Sequence, residues 1–476
     1  MSRGLGDVYK RQGVLKPARA ALVLAVSLAA AGCAMPPVDR IMLEASAEPV
    51  RVNGANGPLT RARSDQILAQ LKQHAPDFGI IDRHLAVEEA VAGTALSAGN
   101  KAVLLEDGRQ AYPAMLAAIH SARRSIHMAT YIFDDSQTGQ MFADALVERR
   151  KAGVEVRILY DGVGSMSTSQ EFFKDLKAQG VQVEQFNPVN PAEVLKKGAG
   201  IIERDHRKLL VVDGRTAFLG GINISSVYGT GGYSGSREKA KDKFEDRPWR
   251  DTQVALQGPV VGELQRAFVE SWARQTHEPP LEGPAYFPTL KPEGPLVVRA
   301  ITSAPDNEVN PLYVTLVSAI AASESQVHIT MAYFVPDRQL LGVLEDAARR
   351  GVDVKLILPE RTDNWVVFNA GRSFYEGMLE SGVKIYERKA RVLHAKTAVI
   401  DGVWSTVGSS NLDWRSLVSN DELNAVILGA DFAAQMNAMF DHDIADSVEI
   451  TTEKWHGRSF ADRLREMYAR ALAYML

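Results

Sequence analysis

DHRKLLVVDGRTAFLGGIN, residues 205–223, and LHAKTAVIDGVWSTVGSSN, residues 393–411, set the same residue types at the same spacings. His206, Lys208, Asp213, Gly220 and Asn223 recur as His394, Lys396, Asp401, Gly408 and Asn411. Each passage reads as a buried apolar strand, a turn at Asp-Gly and a second strand. Residues two apart on a strand share a face, so each histidine points the same way as its lysine. The returning strand brings each asparagine back towards that pair.

The repeat extends outward. A helical stretch from Met115 leads into IHMATYIFDD, then another helical stretch and GVEVRILYD, ending at Asp161. From Leu312 to Pro359 the order recurs through VHITMAYFVPD and GVDVKLILP. Apolar strands alternating with amphipathic helices predict parallel sheet covered by helices on both faces. The fold class is therefore α/β, as two homologous halves related by a pseudo-two-fold axis, with the site between them. The first half is expected over 100–277, with its motif region at 201–228. The second is expected over 296–476, with its motif region at 389–416. EPPLEGPAYFPTLKPEGP, residues 278–295, reads as a proline-rich linker.

Composition bounds the rest. The chain has 476 residues, 46% hydrophobic and 24% charged, with 54 basic against 58 acidic side chains. That excludes disordered and polytopic membrane classes and gives no support to a nucleic-acid partner. The single cysteine, Cys33, excludes an internal disulfide and a cysteine-built metal centre.

The N-terminus is set apart from the fold. MSRGLGDVYKRQ, residues 1–12, resembles a sequencing or assembly artefact. Residues 13–32 read as a signal peptide. Lys16 and Arg19 form its basic region, and the apolar run Ala20 to Ala31 is short for a membrane span. Ala30-Ala31-Gly32-Cys33 resembles a bacterial lipobox, with alanine where leucine is usual. The implied product is lipidated at Cys33 and tethered in the cell envelope, facing the periplasm or exterior. Residues 33–99 form an N-terminal segment ahead of the first half.

The two complete H-x-K-x4-D-x6-G-x-x-N motifs resemble those of the phospholipase D superfamily. The residue types suit phosphodiester chemistry. Lysines and asparagines supply donors to the nonbridging oxygens. One neutral imidazole attacks phosphorus to give a phosphohistidine, and a second, protonated, donates to the leaving alkoxide. No metal-ligand spacing such as H-E-x-x-H occurs, so no metal and no cofactor are expected. The resemblance implies that His206 is the nucleophile and His394 the general acid. It also implies that Asp251, in WRDTQVALQGP, orients His206, and that Glu422, in NDELNAVILG, orients His394. Asp213 and Asp401 belong to the motif's catalytic set. Their place at the turn makes them structural partners rather than proton carriers.

Within the superfamily, several stretches resemble bacterial cardiolipin synthase. They are TYIFDD (130–135), AYFVPD (332–337), AGRSFYEGMLESGVKIYER (370–388) and SSNLDWRS (409–416). The usual pair of N-terminal membrane helices has no counterpart. The implied activity is phosphatidyl transfer, with phosphatidylglycerol the favoured donor and a second lipid or other alcohol as acceptor. Transfer to water is the alternative. A nuclease and a non-catalytic scaffold lipoprotein fit the motifs and charge less well. A monomer is expected. YGTGGYSGSREKAKDKFEDRP, residues 228–248, reads as a glycine-rich, charged loop that lines the site or stays solvated. The C-terminal stripe Phe460, Leu464, Met467, Tyr468, Ala471, Leu472 and Met475 reads as a helix packed on the core. An interfacial membrane helix is the second option.

Overall fold

The computed structural model describes residues 38, 41, 50–73, 80–188, 203–229, 247–362, 364–389 and 391–472. Residues 1–32, Cys33 and most of the 228–248 loop lie outside them, so the readings made there have no structural counterpart.

The first half contains strands β1 (Leu96–Glu106), β2 (Ser125–Thr130), β3 (Glu155–Asp161), β4 (Gln182–Phe186), β5 (Leu209–Val212), β6 (Thr216–Gly220) and β7 (Thr252–Gln257). Helices α1 (Asp107–Ser121) and α2 (Gln137–Lys151) precede and follow β2, and α3 (Val261–Thr276) follows β7. β2, β3 and β4 are parallel, whereas β2–β5, β5–β6, β6–β7 and β7–β1 are antiparallel. Every residue of β2 is buried, as a strand covered on both faces requires.

The second half repeats the scheme with β8 (Leu296–Ser303), β9 (Gln326–Met331), β10 (Asp353–Pro359), β11 (Lys384–Arg388), β12 (Lys396–Ile400), β13 (Trp404–Gly408) and β14 (Asn420–Leu428). α4 (Pro311–Ala322), α5 (Arg338–Arg349) and α6 (Trp365–Arg372) sit in the matching connections, and α7 (Ala430–Ala445) follows β14. The helix–strand–helix–strand order read from sequence is present in both halves. β1 and β8, the equivalent first strands, pair antiparallel and join the halves into one continuous sheet. A shared core beneath the joint takes Val254, Leu256, Phe268 and Trp272 from one half, and Val298, Val407, Ile427 and Phe432 from the other.

Two sequence expectations change in scope. Segment 278–295 is no free spacer. Tyr286 donates its hydroxyl to Glu155 Oε2 at 3.1 Å, and Phe287 and Leu290 pack on the shared core. Its passage also explains Gly214, where a Cβ would stand 2.5 Å from the Tyr286 carbonyl oxygen. The described part of segment 33–99 up to Ala92 packs with the second half, while Leu96–Gly99 opens β1. His84 bonds Ser318 Oγ and Glu88, and Glu88 pairs with Arg299 at 3.0 Å and accepts from Trp404 Nε1.

Candidate active site

Each histidine enters the site on a segment held by the opposite half. The two-residue strand Arg204–Asp205 pairs in parallel with Asn420–Asp421 at the start of β14. His206 then donates its backbone N–H to the Asp421 carbonyl at 2.9 Å. On the other side Leu393 bridges Arg250 in parallel, and His394 N–H donates to the Arg250 carbonyl at 2.8 Å. The residue after each acceptor is a carboxylate, Glu422 or Asp251, and each is fully buried.

This crossing corrects the expected pairing. His206 Nδ1 meets Glu422 Oε1 at 2.9 Å, and His394 Nδ1 meets Asp251 Oδ2 at 2.7 Å. The carboxylate downstream of each motif orients the histidine of the other half. A parallel bridge across the joint takes each histidine away from its own half's strand start, so the within-half pairing carried over by resemblance is exchanged between the halves. With Nδ1–H donated to a carboxylate, Nε2 is the nitrogen left for chemistry.

Asp213 and Asp401 hold the structural place that their position at the turn implied, and not the catalytic one that the motif's set gives them. Asp213 and Asp401 stand at the far ends of β5 and β12 from the lysines. Asp213 accepts the backbone N–H groups of Arg123, Arg124 and Ser125, and Asp401 those of Glu324, Ser325 and Gln326. Asp213-Gly214 and Asp401-Gly402 have positive φ throughout, the mark of a type I′ turn. Each aspartate ties its hairpin to the start of β2 or β9. Neither lines the cleft.

The histidines and asparagines open together on a cleft of about 430 Å³, lined by His206, Asn223, His394 and Asn411. Lys208 and Lys396 lie beneath, buried, and each donates Nζ to the carbonyl of its own histidine. Asn223 Oδ1 accepts the Ile132 N–H at 3.0 Å, which fixes the amide, and its Nδ2 donates to Tyr228 Oη at 3.0 Å. Asn411 Nδ2 reaches Ser416 Oγ at 3.4 Å.

The two sides differ in electrostatics. Burial, then the Lys208 and Lys396 charges, hold the His206 imidazole well below its usual range. Burial pushes Glu422, its partner, up to about 7, opposed by Lys208. Lys208 itself is brought down to about 7, chiefly by burial, with Glu422 opposing. Burial and Lys396 also lower His394, but there the Asp251 carboxylate works against them. His206 is thus the imidazole more firmly held neutral.

Several residues of the site went unassigned from sequence. Tyr131 packs edge-on to His206 at 4.9 Å, with Lys208 Nζ 5.3 Å from its ring centre, and Tyr333 takes the matching place beside His394. Both sit at the same position in TYIFDD and AYFVPD, so the internal repeat was the signal available. Tyr228 Oη lies 3.2 Å from His394 Nδ1, and Trp249 packs on that ring. Ser409 Oγ donates to Glu422 Oε2 at 2.5 Å. At Gly221 a Cβ would stand 2.2 Å from Asp251 Oδ1, so this carboxylate needs glycine beside it.

A family model described as cardiolipin synthase, PLD-like domain, matches residues 115–228 and 316–444. Cardiolipin synthase of Halalkalibacterium halodurans is 33% identical over 389 residues, 81% of this chain and 74% of that protein. The chain belongs to the cardiolipin synthase family. The major cardiolipin synthase ClsA of Bacillus subtilis is 32% identical over 378 residues, 79% of this chain and 76% of its own length. Phosphatidylserine synthase of Haemophilus influenzae shares the fold at a TM-score of 0.59 and 13% identity, covering 86% of this chain and 98% of that one. This family member is a phospholipase D-type phosphatidyltransferase with phospholipid substrates.

Proposed function

We propose that this enzyme joins two phosphatidylglycerol molecules into cardiolipin, with His206 as nucleophile and His394 as general acid and base. The observation that carries the assignment is the asymmetry between the imidazoles. His206 is kept neutral and faces a partner carboxylate whose own charge is weakened by burial. His394 has Asp251 acting to favour its protonated form.

In the first step His206 Nε2 attacks phosphorus, the N–P bond forms and the P–O bond to the glycerol headgroup breaks. His394 gives its proton to the leaving alkoxide, and glycerol departs. In the second step neutral His394 takes the proton of an incoming headgroup hydroxyl, whose oxygen attacks phosphorus. The P–N bond breaks, returning His206 to its neutral state. Lys208, Lys396, Asn223 and Asn411 provide the donors for the charge on the nonbridging oxygens. Two lipids rather than lipid and water are favoured by resemblance to the family, and a 430 Å³ open cleft has room for a second headgroup.

The envelope tether through Cys33 and a monomeric state belong to this proposal. The lipobox-like Ala30-Ala31-Gly32-Cys33 supports the tether.

Trapping the intermediate tests the roles. Incubated with phosphate-labelled phosphatidylglycerol and quenched, His206→Ala should carry no covalent label. His394→Ala should accumulate it, because acid and base help is lost while the nucleophile remains. A labelled adduct on His206→Ala would reverse the two roles.

A further inference from the structure

The C-terminal helix α8 (Phe460–Leu472) does not bury the apolar stripe that its sequence offers. Its inward residues are Ala469, packed against Ala370 of α6, and Glu466, paired with Arg458 at 3.1 Å. Those two lie on one side of the helix. Phe460, Leu464, Met467 and Tyr468 lie on the other, 74%, 43%, 65% and 59% exposed. A large apolar side chain left in water forgoes the gain of burial, and four gathered on one helix face mark a contact surface rather than scattered exposure.

The surroundings indicate what covers it. α8 packs along α6 (Trp365–Arg372), whose first turn supplies Trp365 and Val366 to the wall of the catalytic cleft. Val366 also packs against the Ala370–Ala469 contact, so the helix is one side chain away from that wall. Trp365 is itself 52% exposed. Along the helix Arg463, Arg465 and Arg470 are exposed, while Glu466 is buried and Asp462 is paired with Arg465. An acidic chain thus presents cations at the flanks of an apolar stripe beside its lipid-processing cleft, complementary to an anionic lipid surface.

We propose that the outward face of α8, with Trp365, is a membrane-docking surface that seats the cleft mouth on an anionic phospholipid bilayer. The apolar stripe enters the boundary between headgroups and acyl chains, and the arginines stay at phosphate level. Substrate then reaches His206 without leaving the lipid phase. This rests on the reading of the enzyme as a phosphatidylglycerol transferase.

The test uses the full chain in a Cys33→Ser background, which removes any lipidation. The comparison is with the same chain also carrying Phe460→Ser, Leu464→Ser, Met467→Ser and Tyr468→Ser. Both are assayed on phosphatidylglycerol in detergent micelles, and by co-sedimentation and turnover on phosphatidylcholine vesicles with and without phosphatidylglycerol. The fourfold variant should match its parent in micelles, and its vesicle binding and turnover should fall at least tenfold. A second variant, Arg463→Gln with Arg470→Gln, should lose the preference for anionic vesicles. Equal vesicle binding by parent and both variants overturns the proposal, and turnover in micelles keeps that failure separate from any failure of the functional reading. A parent that is dimeric and a fourfold variant that is monomeric, with vesicle binding unchanged, would assign the face to a second copy and overturn it too.

Discussion

Glu422 and Lys208 share a buried pocket beside His206, and each displaces the other's titration. Burial pushes both groups towards about 7 from opposite sides, while the charge of each opposes that change in the other. Glu422→Gln therefore does two things. It replaces the charged acceptor of Nδ1–H of His206 with an amide whose N–H can donate to Nδ1 and favour the wrong tautomer, which in a comparable triad costs on the order of 10⁴ in turnover. It also removes the charge that keeps Lys208 protonated. The lysine pKa then falls further, so its positive charge is lost at lower pH. The alkaline limb of kcat/KM on micellar substrate should move to lower pH in Glu422→Gln. In the wild type, protonation of Glu422 at about 7 should start the acid limb, and protonation of His206 should complete it below 6.5. An unmoved alkaline limb would mean that Lys208 owes nothing to Glu422. At this scale the His, Lys and Asn positions were legible, because each occurs twice at equal spacing. The pairing of histidine with carboxylate was not. It depends on a parallel bridge between halves, for which a linear sequence carries no local signal.

At the scale of the element, the hairpin that follows each lysine owes its position to the motif aspartate. Three backbone N–H groups converge on each carboxylate, and the aspartates sit at φ 54° and 50°. Asp213→Ala leaves those donors without an acceptor and places a Cβ-bearing residue in left-handed backbone with no side-chain compensation. The cost is about 1–3 kcal/mol. Thermal unfolding should shift down by several degrees, while turnover per folded molecule, measured well below the transition, stays within about threefold of wild type. Native stability combined with abolished turnover would instead place Asp213 in the chemistry. The strand–turn–strand reading of both motifs was sound because Asp-Gly is a strong type I′ signal flanked by apolar runs. The C-terminal helix was misread for a physical reason as well. Periodicity finds the apolar face of a helix but cannot say whether protein or lipid covers it. Here the buried side is a small residue and a paired glutamate.

At the scale of the whole molecule, the duplication is functional. Neither half holds a complete histidine–carboxylate pair, so the site exists only when the sheet is continuous through β1 and β8. The internal repeat made two halves visible from sequence. The close packing of segment 278–295 was hidden because proline-rich composition reports stiffness, not contacts. The proposed tether belongs to this scale too. Expressed from a native start, wild type should incorporate labelled palmitate and fractionate with membranes, whereas Cys33→Ser should take up no label. Wild type without label would remove the anchor and leave the chemistry standing.

The central claim is that one crossed, duplicated site transfers a phosphatidyl group between phosphatidylglycerol molecules. Lipid mass spectrometry of a bacterial strain lacking cardiolipin, after expression of this chain, tests it most directly. Wild type should restore cardiolipin, and His206→Ala, expressed to the same level, should not. Phosphatidic acid accumulating in place of cardiolipin would mean that water is the acceptor. Cardiolipin restored equally by His206→Ala would contradict the mechanism outright.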